Sequence, residues 1–183
     1  MSQPASTKEN LLQAARNLFW TRGYSNVSVR DITTAVGVDA ALVSRYFGGK
    51  RGLFEATLAQ IDRWSALDSD ADDLLTNAVN SFAQPYDPKK DRANAFSMLI
   101  VNINDPEVGD DIRTLVQQGL ADPLAHKLDG SLRQERAAML LAVLFGAALM
   151  RKNFQLQGMA DKSPDDIAIQ IRHLAQAALR FDG

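Results

Sequence analysis

Signals for the start of a helix recur along almost the whole sequence, and they constrain the fold more than any other feature. Ser6 with Glu9, and Ser131 with Gln134, have the spacing of a capping box. In that motif the serine oxygen accepts a hydrogen bond from the third helical amide, and the later side chain returns a bond to the cap. The other signals pair a cap with a proline in the first helical turn, namely Asp87-Pro88, Asp105-Pro106 and Ser163-Pro164.

Between these signals the apolar residues recur at intervals of three and four, as they do along one face of an α-helix. The first such set is Leu11, Ala15, Leu18 and Phe19, and the last is Ile167, Ile171, Leu174 and Ala178. No alternating stretch is long enough for a β-strand. We therefore predict an all-α chain of about nine helices, near residues 6–22, 28–36, 39–47, 50–66, 70–84, 88–103, 106–127, 131–157 and 163–181.

The charges are distributed unevenly along the chain. The whole sequence carries a net charge of −2, but residues 1–54 hold seven cations against three anions, a net charge of +4, and residues 55–183 carry −6. A basic N-terminal part favours a polyanionic partner for that part, and a different role for the acidic remainder, which we call the body.

The composition excludes several classes of protein. The absence of cysteine excludes disulfides and thiolate metal sites, and it fits a reducing compartment, so we expect a cytoplasmic protein. The N-terminus lacks the apolar segment of a signal peptide. The longest apolar run, residues 137–150, is shorter than the roughly 18–20 residues that cross a bilayer. We therefore expect a helix surrounded by protein there, and no membrane partner.

Residues 28–47 have the pattern of a helix-turn-helix. The first helix of the pair ends at Gly37, which can adopt the left-handed conformation of a helix end, and Asp39 caps the next helix. On that second helix Val43 and Phe47 share the inward face. The positions expected to point outward are Ala40, Ala41, Ser44 and Arg45, with Tyr46 at the rim. Small residues beside an arginine suit entry into a DNA major groove, although two packed helices of an ordinary all-α domain would show the same local pattern.

The sequence GYSNVSVRDITTAVGVDAALVSRYFGGKRGLF, residues 23–54, resembles the DNA-binding domain of TetR-type transcriptional regulators. The similar features are Gly23-Tyr24, SVRDI, the GV turn, YF, and Gly-x-Lys before Leu53-Phe54, and the similarity covers roughly residues 6–58. It implies an N-terminal three-helix DNA-binding domain over residues 1–50, and a helical ligand-binding and dimerisation domain over residues 51–183.

The resemblance also implies roles for individual residues. Arg30 is expected to reach the groove, and the exposed positions of the recognition helix are expected to read bases. Ser28, Tyr46 and Lys50 are expected to hold phosphates. Two positions depart from the family pattern, because Ser44 replaces a frequent tyrosine and Asp39 replaces a serine or threonine. Since a carboxylate repels phosphate, we expect Asp39 to turn inward to backbone amides, and Arg45 and Tyr46 to supply some of the missing contact.

The last two helices carry a candidate dimer interface. Ala138, Ala142 and Gly146 are four residues apart, and such a stripe of small residues permits close approach of another helix. The final helix adds Ile167, Ile171, Leu174 and Ala178. Two copies of this pair could form a four-helix interface, as in dimers of the similar family, and the alternative is that both helices complete an internal core.

The resemblance implies a small-molecule pocket in the body. The candidate wall residues are Trp64, Phe82, Phe96, Leu99, Ile103, Leu115 and Phe145. Apolar stripes at helical spacing are also typical of core residues, so the effector is described only as a small apolar compound of unknown identity. Pro123 is expected to kink the seventh helix. The fourth helix, from Lys50 to Trp64, is expected to be the only covalent and packed link between the DNA-binding part and the body.

We find no motif for catalysis, a metal or a cofactor. The segment FGGKRG lacks the first glycine and the Ser or Thr of a phosphate-binding loop. His126 and His173 lie on different helices without a ligand at metal spacing, and the acidic residues 68–73 lack the glycine and glutamate of a calcium loop. We expect a dimeric, ligand-responsive repressor on a pseudo-palindromic double-stranded DNA operator. The alternatives are a DNA-binding protein without an effector and an all-α enzyme.

Overall fold

A computed structural model of the chain describes residues 6–61, 71–87 and 94–182. Within those ranges every regular element is helical, which confirms the all-α prediction, and nine helices follow one another. They are α1 (Thr7–Arg22), α2 (Val29–Val36), α3 (Ala41–Phe47), α4 (Lys50–Leu58), α5 (Ala71–Ala83), α6 (Ala95–Asn102), α7 (Gly109–Val116, the π-helical Gln117–Ala121 and Asp122–His126), α8 (Arg133–Ala148 and the π-helical Leu149–Asn153) and α9 (Pro164–Leu179).

The helix-start signals differ in how well they predict the structure. Ser6 and Glu9 form the expected capping box, with the Glu9 amide 3.3 Å from Ser6 Oγ and the Ser6 amide 2.7 Å from Glu9 Oε2. Ser163 caps α9. The box predicted at Ser131 is wrong, because residues 131 and 132 form a turn and α8 begins at Arg133. The cap predicted before Pro88 involves a residue outside the described ranges.

Helix α4 is shorter than predicted. It ends at Leu58 and is followed by a turn through residue 61, in which the Ile61 amide donates to the Leu58 carbonyl at 3.0 Å. Residues 62–70, and with them Trp64, lie outside the described residues.

The described residues fall into two compact units. The first unit lies within residues 1–62 and 88–113, and the second within residues 63–87 and 114–183. The first unit takes in α4, α6 and the beginning of α7 as well as α1–α3, and the domain boundary expected after residue 50 stays a prediction.

Helix α1 is the centre of the first unit, because α2, α4 and α6 all pack against it. Three aromatic rings meet where α1 ends: the ring centroids of Phe19, Tyr24 and Phe54 lie 5.2–5.5 Å from one another. All three are buried, as is Trp20, whose indole N–H donates to Thr57 Oγ1 on α4 at 3.1 Å. Burial of each such side chain stabilises the fold by about 1.5–3 kcal/mol, so α1 and α4 are joined firmly.

Polar contacts attach residues 102–111 to the helices around α1. The fully buried Asn102 accepts from the Tyr24 amide at 2.8 Å and donates to the Phe19 carbonyl at 3.2 Å. Asp105 accepts from the Ser25 amide at 3.0 Å, and Arg51 reaches the Glu107 carbonyl at 2.8 Å. The expectation that α4 is the only packed link between the DNA-binding part and the body is therefore wrong. These contacts join residues between 56 and 83 positions apart, and no local period in a sequence reports such pairs.

In the second unit α5, α8 and α9 pack against one another around a continuous apolar core. The buried residues of that core are Leu75, Val79, Ala83, Leu124, Ala125, Ala137, Leu140, Leu144, Ile167, Ile171 and Ala175. Helix α8 is not enclosed on all sides within the chain: Leu140 and Leu144 face the core, whereas Met139 is 57% exposed. Within the ranges that the structure describes, no helix is both long enough and apolar enough to cross a membrane.

The irregularity expected at Pro123 takes the form of a π-helical turn. Residues Gln117–Ala121 are π-helical, and the Asp122 amide donates to the Gln117 carbonyl five residues earlier. A proline inside a helix has no N–H to donate, and its ring clashes with the carbonyl four residues before it. The wider π turn adapts the backbone around this site, so α7 continues through Pro123 to His126.

A second π-helical turn carries Arg151, which is 2% exposed. Its guanidinium donates to the Met159 carbonyl, and to the Lys162 carbonyl at 3.1 Å, while its Nε is buried without a partner. Burial lowers the pKa of Arg151. The buried Arg151 side chain thus holds the segment between α8 and α9 in place through the backbone carbonyls of that segment.

Candidate nucleic-acid interface

Helices α2 and α3 form the helix-turn-helix predicted from the sequence. Helix α2 ends at Gly37, whose φ of 75° and ψ of 38° are left-handed, and the Gly37 amide donates to the Thr33 carbonyl at 2.8 Å. Asp39 turns its carboxylate onto the Ala41 amide at 2.7 Å, which confirms the inward orientation expected of it. The carboxylate thereby satisfies one of the free amides at the start of α3.

Helix α3 buries one face and exposes the other. Val43 is fully buried, and Phe47 is half-buried. Ala40, Ala41, Ser44 and Arg45 are exposed, and Tyr46 is half-buried at the rim. The exposed surface is therefore low in bulk apart from Arg45, as a helix that enters a groove requires. That these side chains read bases stays a prediction.

Ser28 and Arg30 lie at the beginning of α2, and both are exposed. Ser28 Oγ accepts from the Asp31 amide at 3.1 Å and donates to Asp31 Oδ2 at 2.6 Å. The bond from the Ser28 hydroxyl, with a second from the Ser28 amide to Asp31 Oδ2 at 2.8 Å, holds the pKa of Asp31 below its usual value. The Ser28 hydroxyl is thus already engaged, so a phosphate at this position would compete with Asp31 for its proton.

Lys50 begins α4 immediately after a sharp change of chain direction. Gly48 and Gly49 have φ values of 75° and 118°, which side-chain-bearing residues rarely adopt. The Lys50 ammonium lies 4.1 Å from the ring centroid of Tyr24, a favourable cation–π distance. Tyr24 is itself buried, so Lys50 is placed before any ligand arrives.

Two contributors to this surface were missed by the sequence analysis. A Cβ atom added at Gly52 would lie 1.9 Å from the Phe47 carbonyl oxygen, so only glycine lets the first turn of α4 approach the end of α3. The GKRG sequence contains this glycine, but nothing in the helical period marks it. Lys8 on α1 places its ammonium 5.6 Å from the Phe47 ring centroid, which brings another cation to the C-terminal end of α3.

The residues expected to line an effector pocket are divided between the two units. Phe96, Leu99 and Ile103 belong to the first unit, and Phe82, Leu115 and Phe145 to the second. The Phe82 and Phe145 rings pack with centroids 5.9 Å apart, and both are half-buried. Trp64 lies outside the described residues. Their role as pocket walls stays a prediction.

The residues expected at a dimer interface also differ in exposure. Ile167 and Ile171 are buried in the core of the second unit, and Ala178 is half-buried. Ala138 and Ala142 are exposed, Leu174 is 55% exposed, and a Cβ added at Gly146 meets nothing within 4 Å. The stripe on α8 is therefore open in the single chain. Across the three described ranges, no cluster of His, Cys, Asp or Glu is arranged to hold a metal ion.

Comparisons with known proteins agree with this architecture. The family model "Bacterial regulatory proteins, tetR family" matches residues 11–57, and the model "Tetracyclin repressor-like, C-terminal domain" matches residues 72–179. The chain is 28% identical over 117 residues to the HTH-type transcriptional repressor ComR of Escherichia coli, which is 59% of this chain and 56% of ComR. It is 31% identical over 97 residues to the HTH-type transcriptional regulator BetI of Vibrio atlanticus, which is 52% of this chain and 44% of BetI. The matches thus span about half the length of these curated relatives.

Solved structures show the same fold over nearly the whole chain. A cysteine mutant of the TetR family transcriptional regulator CifR, complexed with 26-bp double-strand operator DNA, superposes with a TM-score of 0.70 at 17% identity, over 97% of this chain and 99% of that chain. A transcriptional regulator from Rhodococcus sp. Rha1 gives 0.65 at 20% identity, over 96% of this chain and 97% of that chain. The structure contains the helix-turn-helix, and one family model matches more than half of the chain. This chain therefore belongs to the TetR family of bacterial regulatory proteins.

Proposed function

We propose that this chain is a transcriptional repressor that binds a pseudo-palindromic DNA operator as a homodimer and releases it when a small apolar effector binds. It works in the cytoplasm, where the DNA is, and no catalytic step belongs to this function. The similar protein ComR is a transcriptional repressor, and CifR was solved on its operator, which supports the same role here.

The observation that carries DNA binding is the arrangement around α3. Its exposed face combines small residues with Arg45, while Lys50 lies at the adjoining start of α4 and Lys8 at the end of α3. Cations at the C-terminal end of this helix can contact phosphates at the edge of a groove, and the small residues let the helix approach the bases. Arg30, exposed at the start of α2, adds a further donor.

The observation that supports dimerisation is the open face of α8. Exposed Ala138, Ala142 and Met139, with unoccupied space at Gly146, form an apolar helix surface without bulk at its centre. A second copy fits this surface because a two-fold axis brings identical small-residue stripes together at close distance. Leu174 on α9 is exposed as well and extends the apolar area.

Two features of the second unit support effector binding. The π-helical turn before Pro123 is the kind of helix irregularity that often accompanies a binding site, and the half-buried Phe82 and Phe145 are aromatic groups that an apolar compound can contact. A ligand changes operator affinity only if it binds one conformation of the protein better than the other.

Selection of bound sequences from random double-stranded DNA tests the proposal most directly. We expect a pseudo-palindrome with half-sites about one helical turn or more apart, bound by a dimer. Recovery of no preferred sequence at low salt, from protein shown to be folded, would contradict operator binding.

The effector is tested by linkage. A compound that raises the melting temperature of the protein is expected to weaken binding to the selected duplex roughly 5- to 150-fold, and the duplex is expected to weaken the compound by the same factor. Trp64 emission should respond to the compound. If no compound in an apolar library shifts the melting temperature while the operator binds tightly, the protein is a DNA-binding protein without an effector.

A further inference from the structure

Arg51 directs its charge toward the protein rather than toward the DNA-binding surface. Its Nη2 lies 2.5 Å from Asp111 Oδ2, its Nη1 donates to the Glu107 carbonyl at 2.8 Å, and its Nε donates to Glu55 Oε1 at 3.1 Å. All three guanidinium nitrogens therefore have protein partners. Arg51 is one of the seven cations of the basic N-terminal part, but its hydrogen bonds to Glu107 and Asp111 hold its side chain against the beginning of α7.

The segment that holds Arg51 also holds the residue beneath Lys50. Asn102 accepts from the Tyr24 amide at 2.8 Å and is fixed by its own bonds to the Phe19 and Met98 carbonyls. The Lys50 ammonium lies over the Tyr24 ring. Residues 102–111 thus restrain both neighbours of Lys50: Tyr24 through Asn102, and Arg51 through Glu107 and Asp111.

The first turn of α4 transmits this restraint to α3. Because a Cβ at Gly52 would overlap the Phe47 carbonyl, these two backbone segments are in direct contact. A displacement of the first turn of α4 therefore displaces the C-terminal end of α3, where Arg45 and Tyr46 lie. The position of Arg51 bears on the recognition helix through backbone packing alone.

We propose that Arg51 is a positioning residue for DNA binding, which braces the first turn of α4 against Asp111 and the Glu107 carbonyl without touching DNA. The brace holds Lys50 and the end of α3 in the arrangement that binds the operator. This inference deepens the proposed function and rests on it.

The competing role for Arg51 is a direct phosphate contact, in the manner of its neighbour Lys50. The two roles predict opposite effects for Asp111. If Arg51 binds phosphate, Asp111 competes for it, and Asp111→Asn frees the arginine and tightens DNA binding. If Arg51 is a brace, Asp111→Asn weakens DNA binding.

The first experiment measures the affinity of full-length protein for the duplex selected from random DNA, as a function of salt. We expect Arg51→Gln and Asp111→Asn each to weaken binding by roughly three- to tenfold, as loss of an ion pair and of a charged hydrogen bond allows. The salt slope should stay at the wild-type value, and the double variant should bind as the single variants do, because both remove the same brace. A slope that falls by about 0.9 in Arg51→Gln, or tighter binding by Asp111→Asn, overturns the proposal.

Two controls make the comparison specific. Asp110→Asn removes the same charge from the adjacent position, but Asp110 pairs with Arg113 at 2.6 Å and its side chain is 99% exposed. We expect its affinity to equal or slightly exceed that of the wild type. Lys50→Gln provides the slope change of a lost phosphate contact.

A second experiment needs no DNA, so its failure is distinguishable from failure of the proposed function. The Leu53 amide donates to the Gly49 carbonyl at 3.0 Å in the first turn of α4. Hydrogen exchange of this amide is expected to be severalfold faster in Arg51→Gln and Asp111→Asn than in Asp110→Asn, at equal melting temperature. Exchange at the wild-type rate in both variants overturns the brace even if the operator is bound.

Discussion

The backbones of Phe47 and Gly52 are so close that a Cβ atom added at Gly52 would lie 1.9 Å from the Phe47 carbonyl oxygen. The last turn of α3 and the first turn of α4 therefore meet backbone to backbone. This contact fixes the angle between α3 and α4, the helix that begins at Lys50.

Gly52→Ala should accordingly force α3 and α4 apart. Overpacking of this kind costs about 1–3 kcal/mol, although alanine by itself favours a helix. We expect a lower melting temperature and a loss of operator affinity. Gln13→Ala, an exposed change within α1, is the control and should leave the melting temperature equal or higher. Equal stability of the Gly52→Ala variant and the wild type would show that the two helices can separate freely.

Lys50→Ala should weaken binding to all DNA sequences about equally, because phosphate contacts position a protein without specifying a sequence. The slope of log affinity against log salt should fall by about 0.9 for the one phosphate lost. Tyr46→Phe, which removes a neutral hydroxyl, should weaken binding without changing that slope. A changed sequence preference in either variant would contradict the assignment, and filter binding at several salt concentrations on two unrelated duplexes measures both quantities.

Arg45→Ala should act differently, because its side chain is exposed on the face of α3 that we propose enters the groove. We expect a loss of about 1–3 kcal/mol on the selected operator and a relaxed preference at particular base positions. The same is expected of Arg30→Ala at other positions. Repeating the selection from random DNA with each variant is the measurement, and a uniform loss across all sequences would assign these arginines to phosphates.

Ala142→Trp tests the open face of α8. A bulky side chain at the centre of the stripe should separate the two copies, since close helix approach needs small residues there. We expect a monomer by sedimentation and loss of tight operator binding, with α1–α4 still folded. Arg133→Trp, an exposed change on the side of the same helix opposite Ala142, should leave the dimer intact. Tight operator binding by a demonstrated monomer would contradict the dimeric mode of recognition.

Asp105 makes part of the stability dependent on pH. Burial alone would raise the pKa of Asp105, but hydrogen bonds from Ser25, Glu107 and Val108 outweigh it and hold the pKa below 3.8. A carboxylate whose pKa is lowered in the folded protein stabilises the fold at pH values above the pKa that it has in the unfolded chain. This contribution is lost as the pH falls through the folded pKa, below about 3.8.

Asp105→Asn should therefore reduce the free energy of unfolding by about 1–3 kcal/mol at pH 7. The difference in the free energy of unfolding between this variant and the wild type should shrink as the pH is lowered from about 5 toward about 3, because the wild-type carboxylate becomes protonated there. Urea unfolding at each pH measures it. A difference that stays constant with pH would mean that the carboxylate charge contributes nothing.

The local part of this fold could be predicted from sequence. Capping boxes and apolar periodicity report interactions between residues three or four apart, and they predicted the number and order of the nine helices and the Gly37 turn within the described ranges, although α4 is shorter than predicted. The signal failed at Ser131, where a turn precedes the helix, because a cap spacing does not reveal which residue begins the helical backbone.

The long-range part could not be predicted in the same way. Tyr24 and Asn102, or Arg51 and Asp111, meet only because helices far apart in sequence pack together, and neither pair has a characteristic spacing. Gly52 was likewise ambiguous, since a glycine in the first turn of a helix is usually a tolerated weakness rather than a contact point. The inward orientation of Asp39 was predictable because both partners of that hydrogen bond lie within one turn.

The buried hydrogen bond between Trp20 and Thr57 gives the protein an internal spectroscopic reporter. The chain has two tryptophans, and Trp20 has no exposed surface, with the Arg16 guanidinium 4.2 Å from its ring centroid. A quencher dissolved in water cannot collide with this indole while α1 and α4 stay together. In a Trp64→Phe variant, emission that persists in a high concentration of iodide is therefore the signal of Trp20, and its loss during unfolding reports the separation of those two helices.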